Sequence, residues 1–138
     1  MDFGAVIAHL NYWAVLAAAL ASFLLGGLWY SPLLFYNPWR RAAAVSEEQL
    51  RQGNMAKIFG VSLLFQLIAA FVLAMFIGVE LDAAIGALVG SMVGLAWVAT
   101  AFGVVYQFER RPMTLLLING GYNVVTYTLM GAILGAWH

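Results

Sequence analysis

Four long runs of apolar residues make up most of the chain, and short polar segments separate them. A helix needs about 20 apolar residues to cross roughly 30 Å of hydrocarbon, and each run is long enough. The pattern therefore predicts an all-α integral membrane protein with four transmembrane helices, at about 3–30, 55–79, 83–108 and 112–137. All four are expected to form a single domain over residues 1–138. Because no positively charged region precedes the first run, we expect that run to be retained as an anchor.

The short connections constrain how the helices are arranged. Segments 80–82 and 109–111 are so short that the second, third and fourth helices are expected to be antiparallel neighbours. Asp82 is placed to cap the first turn of the third helix.

The first connection, residues 31–54, is longer and predicts helices of its own. Asn37-Pro38 is typical of a helix start, which predicts a short interfacial helix in WRRAAAV. Ser46 and Gln49 have the spacing of a capping box, which predicts that EEQLRQGN extends the second transmembrane helix into the cytoplasm. Aromatic residues near this connection are expected to form a belt at the membrane interface. They are Trp29, Tyr30, Phe35, Tyr36, Trp39, Tyr106 and Phe108.

The basic residues all lie at one end of the predicted helices. The first and last connections, with their flanks, carry all six, whereas segment 80–82 and both termini carry none. The positive-inside rule places the two basic connections in the cytoplasm and both termini outside. We therefore expect a multi-pass protein of the cell (inner or plasma) membrane. The six residues are Arg40, Arg41, Arg51, Lys57, Arg110 and Arg111.

Composition agrees with a membrane location and argues against several other classes. Of 138 residues, 64% are hydrophobic and 9% are charged, with a mean hydropathy of +0.92. This is far too little charge for a soluble domain, so the expected partner is the lipid bilayer. The formal net charge is zero, so no nucleic-acid-binding surface is expected. Cysteine is absent, which excludes a disulfide framework or a thiolate metal site.

Two predicted helices carry small residues at four-residue spacing, a pattern that lets helix backbones approach closely in lipid. The third helix has a doubled GxxxG pattern, and the first helix has a row of small residues at the same spacing. We expect these two rows to meet, either inside one chain or across a dimer interface. The glycine row is Gly86, Gly90 and Gly94, and the second row is Ala14, Ala18, Ser22 and Gly26.

The fourth predicted helix contains a polar stretch, INGGYNVVTY, where apolar residues are expected. Asn119, Asn123 and Tyr127 recur every four residues and so share one helix face. Counted at about 1.5 Å per residue, Asn123 and Gln66 both lie near the membrane midplane, where we expect their amides to meet. Unpaired amides are costly in hydrocarbon, so this face should not contact lipid. The predicted polar intramembrane cluster comprises Gln66, Asn119, Tyr122, Asn123, Thr126, Tyr127 and Asn11.

Three interpretations of this polar cluster stay open. Its groups can be hydrogen-bond links between helices, a path for a small solute or ion, or part of a catalytic site. Catalysis is disfavoured, because no acidic or basic side chain lies in the interior of any apolar run. His9 and His138 lack the spacing of metal ligands. We therefore expect no enzymatic activity, no metal and no cofactor.

Three phrases together resemble a known family: NYWAVLAAALASFLLGGLWYSPLLF, SEEQLRQGNMAKIFG and LLLINGGYNVVTYTLMGAILGAW. In order and spacing they are similar to the bacterial and archaeal membrane proteins of domain-of-unknown-function family 1761, over nearly the whole chain. Asn119, Gly121 and Tyr122 match the family's motif. The resemblance implies a compact four-helix membrane domain, and it brings no settled activity with it.

The function follows only coarsely from these observations. We expect a non-enzymatic structural or accessory membrane component that works as a homo-oligomer or within a larger membrane complex. The alternative is a small channel or permease for an ion or small polar solute, with a path lined by Gln66 and Asn123.

Overall fold

The computed structural model describes residues 2–138, and all regular elements in that part of the chain are helical. The predicted all-α class is therefore confirmed. The helices are α1 (Phe3–Ala8), α2 (Tyr12–Trp29), α3 (Tyr36–Ala43), α4 (Glu47–Arg51), α5 (Met55–Ile77), α6 (Ala83–Val93), α7 (Thr100–Phe108) and α8 (Met113–Ala136). A π-helical segment, Gly94–Ala99, joins α6 to α7 without a break.

Three helical rods are long and apolar enough to cross a membrane: Tyr12–Trp29, Met55–Ile77 and Ala83–Phe108. Each lies within one of the first three predicted spans. The fourth rod, α8, has 24 residues and contains no charged side chain, but its asparagines, tyrosines and glycines lower its hydropathy. A fourth membrane span therefore stays a prediction.

The first predicted helix is interrupted between α1 and α2. Asn11 accounts for the break, because its Oδ1 accepts hydrogen bonds from the backbone N–H groups of Trp13 at 3.1 Å and Ala14 at 3.2 Å. These donors belong to the first turn of α2, where no earlier carbonyl is available to them. The prediction of one continuous helix over residues 3–30 is wrong.

Two predicted helix caps are confirmed. Asp82 Oδ1 accepts the N–H of Ile85 at 2.9 Å, and Ser46 and Gln49 form the reciprocal bonds of a capping box. The capping box opens α4, but α4 does not continue into α5, because Asn54 caps a new helix. EEQLRQGN is therefore not an extension of the second long helix.

Helix α8 lies at the centre of the packing. It contacts α2, α5, α6 and the π-helical segment, and also α3 and α7. Helices α5 and α6 touch each other only slightly, although a short turn joins them. The predicted antiparallel contact therefore forms between α6 and α8, whereas α5 packs mainly against α2 and less extensively against α8.

Half of the ten core residues are alanines, and many large apolar side chains lie on the outside. The exposed fraction is 71% for Leu24, 64% for Trp97 and 86% for Phe108. Water would disfavour so large an apolar surface. The buried core between α2, α5 and α8 consists of Ala14, Val15, Ala18, Ala19, Ala70, Leu73, Ala74, Ile77, Met130 and Leu134.

The two basic connections lie together at one end of the molecule. Arg111 Nη1 donates to the carbonyl oxygen of Ala43 at 3.2 Å, which joins the α7–α8 turn to the end of α3. At the far end of α8, Gly135 lies against the backbone carbonyl of Asp82. The cations and the acidic 80–82 segment are thus at opposite ends of α8.

Candidate functional site: the polar core around α8

The glycine row, which runs from α6 into the first residue of the π-helical segment, packs against α8. A Cβ built on Gly86 or Gly90 would overlap backbone carbonyl oxygens of α8, and one on Gly94 would lie 2.8 Å from the carbonyl oxygen of Asn123. The two backbones therefore touch at three successive turns. The expectation that the glycine row meets the small-residue row of α2 is wrong. Helix α8 offers a glycine of its own, Gly131 opposite Gly86, which permits a closer approach than an alanine would.

The small-residue row of α2 faces α5 and α8 instead. Ala14, Ala18 and Ser22 are buried, and the fourth member, Gly26, makes room for a tyrosine. A Cβ on Gly26 would lie only 2.9 Å from the hydroxyl oxygen of Tyr122. The missing side chain at Gly26 therefore lets Tyr122, on the polar face of α8, pack closely against α2.

Asn119 links two tyrosines that belong to different helices. The hydroxyl of Tyr30, at the end of α2, donates to Asn119 Oδ1 at 2.7 Å, and Asn119 Nδ2 donates to the hydroxyl of Tyr106 in α7 at 2.8 Å. A side-chain amide both accepts and donates, so a single asparagine can join two hydroxyl groups. This amide ties α2, α7 and α8 together.

Tyr122 forms the second link. Gln66 Nε2 donates to the hydroxyl of Tyr122 at 2.9 Å, and that hydroxyl donates to the carbonyl oxygen of Ser22 at 3.1 Å. The predicted contact between Gln66 and Asn123 is therefore wrong. Asn123 Nδ2 donates instead to the carbonyl oxygen of Asn119, one turn earlier on its own helix, at 2.8 Å. Adjacent helical residues point about 100° apart, so Tyr122 and Asn123 cannot both face α5.

Gly120 and Gly121 open two faces of α8 to close packing. Gly121 lies against the indole of Trp29, whose Cζ2 would be 3.4 Å from a Cβ at that position. The indole N–H thereby reaches the carbonyl oxygen of Ile118 at 3.1 Å. Gly120 faces Ala99 of the π-helical segment, again with 3.4 Å between that Cβ and a Cβ built on the glycine. The glycine pair lets neighbours pack closely on two sides of α8.

The remaining members of the predicted cluster have different environments. Thr126 is buried, and within residues 2–138 its Oγ1 and the Oγ of Ser22 have no hydrogen-bond partner. Tyr127 contributes its backbone carbonyl to the contact with Gly90. Asn11 lies apart from the cluster, because it caps α2 beside the end of α8 that is remote from Asn119. Its assignment to the polar cluster is wrong.

Trp29, Tyr30 and Tyr106 are members of the polar core that the sequence places only in an interfacial belt. The sequence held one indication that Trp29 and Tyr30 have a role beyond the interfacial belt. They belong to LWYSP, the exit of the first long helix and one of the phrases that carry the family resemblance. The structure joins this phrase to INGGY of α8, through the bonds from Trp29 to Ile118 and from Tyr30 to Asn119.

The architecture is that of an all-helical protein with an apolar exterior and a hydrogen-bonded core at its central helix. Residues 13–135 match the family described as protein of unknown function (DUF1761), and the chain belongs to that family. This confirms the resemblance seen in the sequence. No curated protein matches the chain, and no solved structure matches it. Among the described residues, no group of three or more His, Asp or Glu side chains is placed to hold a metal ion.

Proposed function

We propose that the chain is an integral membrane protein in which all four long helical rods cross the bilayer. Three rods have the required length and hydropathy, and their outer surfaces carry the large apolar side chains. Helix α8 has the length, and two of its polar side chains, Asn119 and Tyr122, form hydrogen bonds to neighbouring helices. A polar helix is tolerated in hydrocarbon when its polar groups are satisfied by protein.

The polar core acts as a set of links that hold the helices in place. The observation that carries this proposal is the pairing of its groups with one another: Asn119 joins Tyr30 to Tyr106, and Tyr122 joins Gln66 to α2. Such bonds contribute roughly 1 kcal/mol or less each in a membrane. A solute path through Gln66 and Asn123 has no comparable support, because the two amides bind different partners.

The protein then has a structural or accessory role, without enzymatic activity, as a homo-oligomer or within a larger membrane complex. Its outer surface offers places where another helix can approach. Gly27 of α2 and Gly60 of α5 have no atom within 4 Å of a Cβ built on them. Small residues on a lipid-facing surface are typical of helix–helix contacts between membrane proteins.

Cysteine labelling in intact cells tests insertion and orientation. The chain has no cysteine, so a single introduced thiol can be labelled without background from the protein itself. With basic connections in the cytoplasm, Asp2→Cys and Asp82→Cys should react with an impermeant thiol reagent, whereas Ala43→Cys should react only after cell lysis. Equal labelling of all three variants in intact cells would refute the orientation.

Purification from the native membrane in a mild detergent tests the accessory role. We expect an assembly larger than one 15.0 kDa chain, either with copies of itself or with a defined second protein. Gly27→Leu and Gly60→Leu should reduce the size of this assembly, while the small change Ala43→Ser at the end of α3 should not. A monomer in every case, with nothing bound, would contradict the proposal.

A further inference from the structure

A groove runs along α8 beside the π-helical segment and α7. Its volume is about 680 Å³, within the range of about 300–1,000 Å³ that ligand sites occupy. The groove forms because α6 touches α8 backbone to backbone, whereas α7 packs on α8 less closely. Its lining is almost entirely apolar and includes Leu95, Ala99, Gly103, Leu116, Gly120 and Val124.

A second cavity, of about 390 Å³, lies at the end of the same face of α8. It is formed by α3, including Arg41, and by the start of α8, including Thr114. Thr114 precedes Leu117 by three residues and Gly121 by seven, spacings that keep all three on one helix face. Leu117 and Gly121 line the groove, so the apolar groove and the second cavity follow one another along α8. We call the second cavity the basic cavity, because Arg41 lines it.

This end of the molecule has more positive charge than its own carboxylates can neutralise. It carries all six cations and three carboxylates, one of which is Glu48. The other two, Glu47 and Glu109, pair with three of the arginines. Within residues 2–138, Arg41 takes part in no salt bridge, and it lines the basic cavity. A guanidinium and a hydroxyl at one cavity match the oxygens of a phosphate group.

We propose that these two cavities together bind one anionic phospholipid. An acyl chain lies in the groove between α7 and α8, and the phosphate group contacts Arg41 and Thr114. The proposal rests on the membrane insertion proposed above, with the basic end at the leaflet surface. Basic pockets at that depth attract anionic headgroups, and the order of the two cavities, apolar then basic, is the order of a lipid that points its headgroup toward the membrane surface.

Native mass spectrometry of the full chain in neutral detergent tests the site. Phosphatidylglycerol and phosphatidylcholine with the same acyl chains are titrated separately, and we expect tighter binding of phosphatidylglycerol. Arg41→Gln should weaken phosphatidylglycerol binding about tenfold, the effect of losing one hydrogen bond to a charged group. Arg51→Gln is the matched control, because the Arg51 side chain is 82% exposed and lines neither cavity.

A groove-filling variant tests the acyl chain. Gly103→Leu should weaken binding of both lipids, because its side chain would occupy the groove. Equal losses for Arg41→Gln and Arg51→Gln would indicate general charge attraction and overturn the proposal. Unchanged lipid binding by Gly103→Leu would overturn it too, and a simultaneous change in oligomer mass would assign the groove to a second copy. A chain that passes the cysteine-labelling test and shows no lipid preference refutes this inference alone.

Discussion

Gly90 is the most sensitive position for testing the contact between α6 and α8. A Cβ there would overlap the backbone carbonyl oxygen of Tyr127, and a backbone atom cannot move aside as the end of a flexible side chain can. Gly90→Ala gains about 1 kcal/mol from helix propensity, and it loses about 1–3 kcal/mol because an extra methyl forces the two helices apart. We expect a net loss of up to about 2 kcal/mol, and a larger loss for Gly90→Leu.

Gly103→Ala is the matched control, since Gly103 lies on the same rod. A Cβ there would be 3.7 Å from the nearest atom, on the Leu116 side chain, which is an ordinary van der Waals distance. This variant should keep the propensity gain and lose nothing. The difference between the two alanine variants therefore isolates the backbone contact, at about 1–3 kcal/mol.

Reversible unfolding in mixed micelles, with an increasing fraction of a denaturing detergent, gives the free energies to compare. Mild-detergent size measurements on the same samples separate loss of folding from loss of assembly. If Gly90→Ala and Gly103→Ala change the free energy of unfolding by the same amount, α6 and α8 do not touch at Gly90. The arrangement of α6 on α8 described above would then be incorrect.

Two further predictions concern the polar core, and the same unfolding assay measures both. Tyr122→Phe removes the hydroxyl that joins Gln66 to α2, so it should cost about 1–3 kcal/mol by leaving the half-buried amide of Gln66 unpaired. Combined with Gln66→Leu, it should show a coupling of at least about 0.5 kcal/mol, and strict additivity would argue against the bond. Gln66→Leu and Asn123→Leu should instead add within about 0.3–0.5 kcal/mol, because the two amides have separate partners. A clear coupling between them would mean that they meet.

Local chemistry made two helix starts predictable from the sequence. Asp82 and the Ser46–Gln49 pair act on backbone groups within three residues of themselves, so their effect needs no knowledge of the rest of the fold. The break at Asn11 has the same local cause, yet the apolar residues on both sides concealed it. Asn11 can cap a new helix or lie inside a continuous one, and hydropathy does not distinguish these two cases.

The partners of the polar side chains were not predictable, because they depend on how α8 is rotated about its axis. Counting residues placed Gln66 and Asn123 at similar depth in the membrane, but depth does not determine the direction in which a side chain points from its helix. A rotation of about 100° exchanges Asn123 for Tyr122 as the residue facing α5. The glycine row was affected in the same way. Its spacing predicted close packing with another helix, but spacing alone does not show which helix that is.

The π-helical segment sets the rotational phase of α7. Gly94 begins the segment and touches the backbone of α8, and Tyr106, twelve residues later, bonds to Asn119 of the same helix. In an uninterrupted α-helix, twelve residues at about 100° each would leave Tyr106 roughly a third of a turn away from the direction of Gly94. Each residue of a π-helix turns the chain through a smaller angle, because its hydrogen bonds span five residues rather than four. Over the six residues of Gly94–Ala99 this lag offsets the mismatch, so a rod that begins with glycines against α8 ends with a tyrosine directed at the same helix.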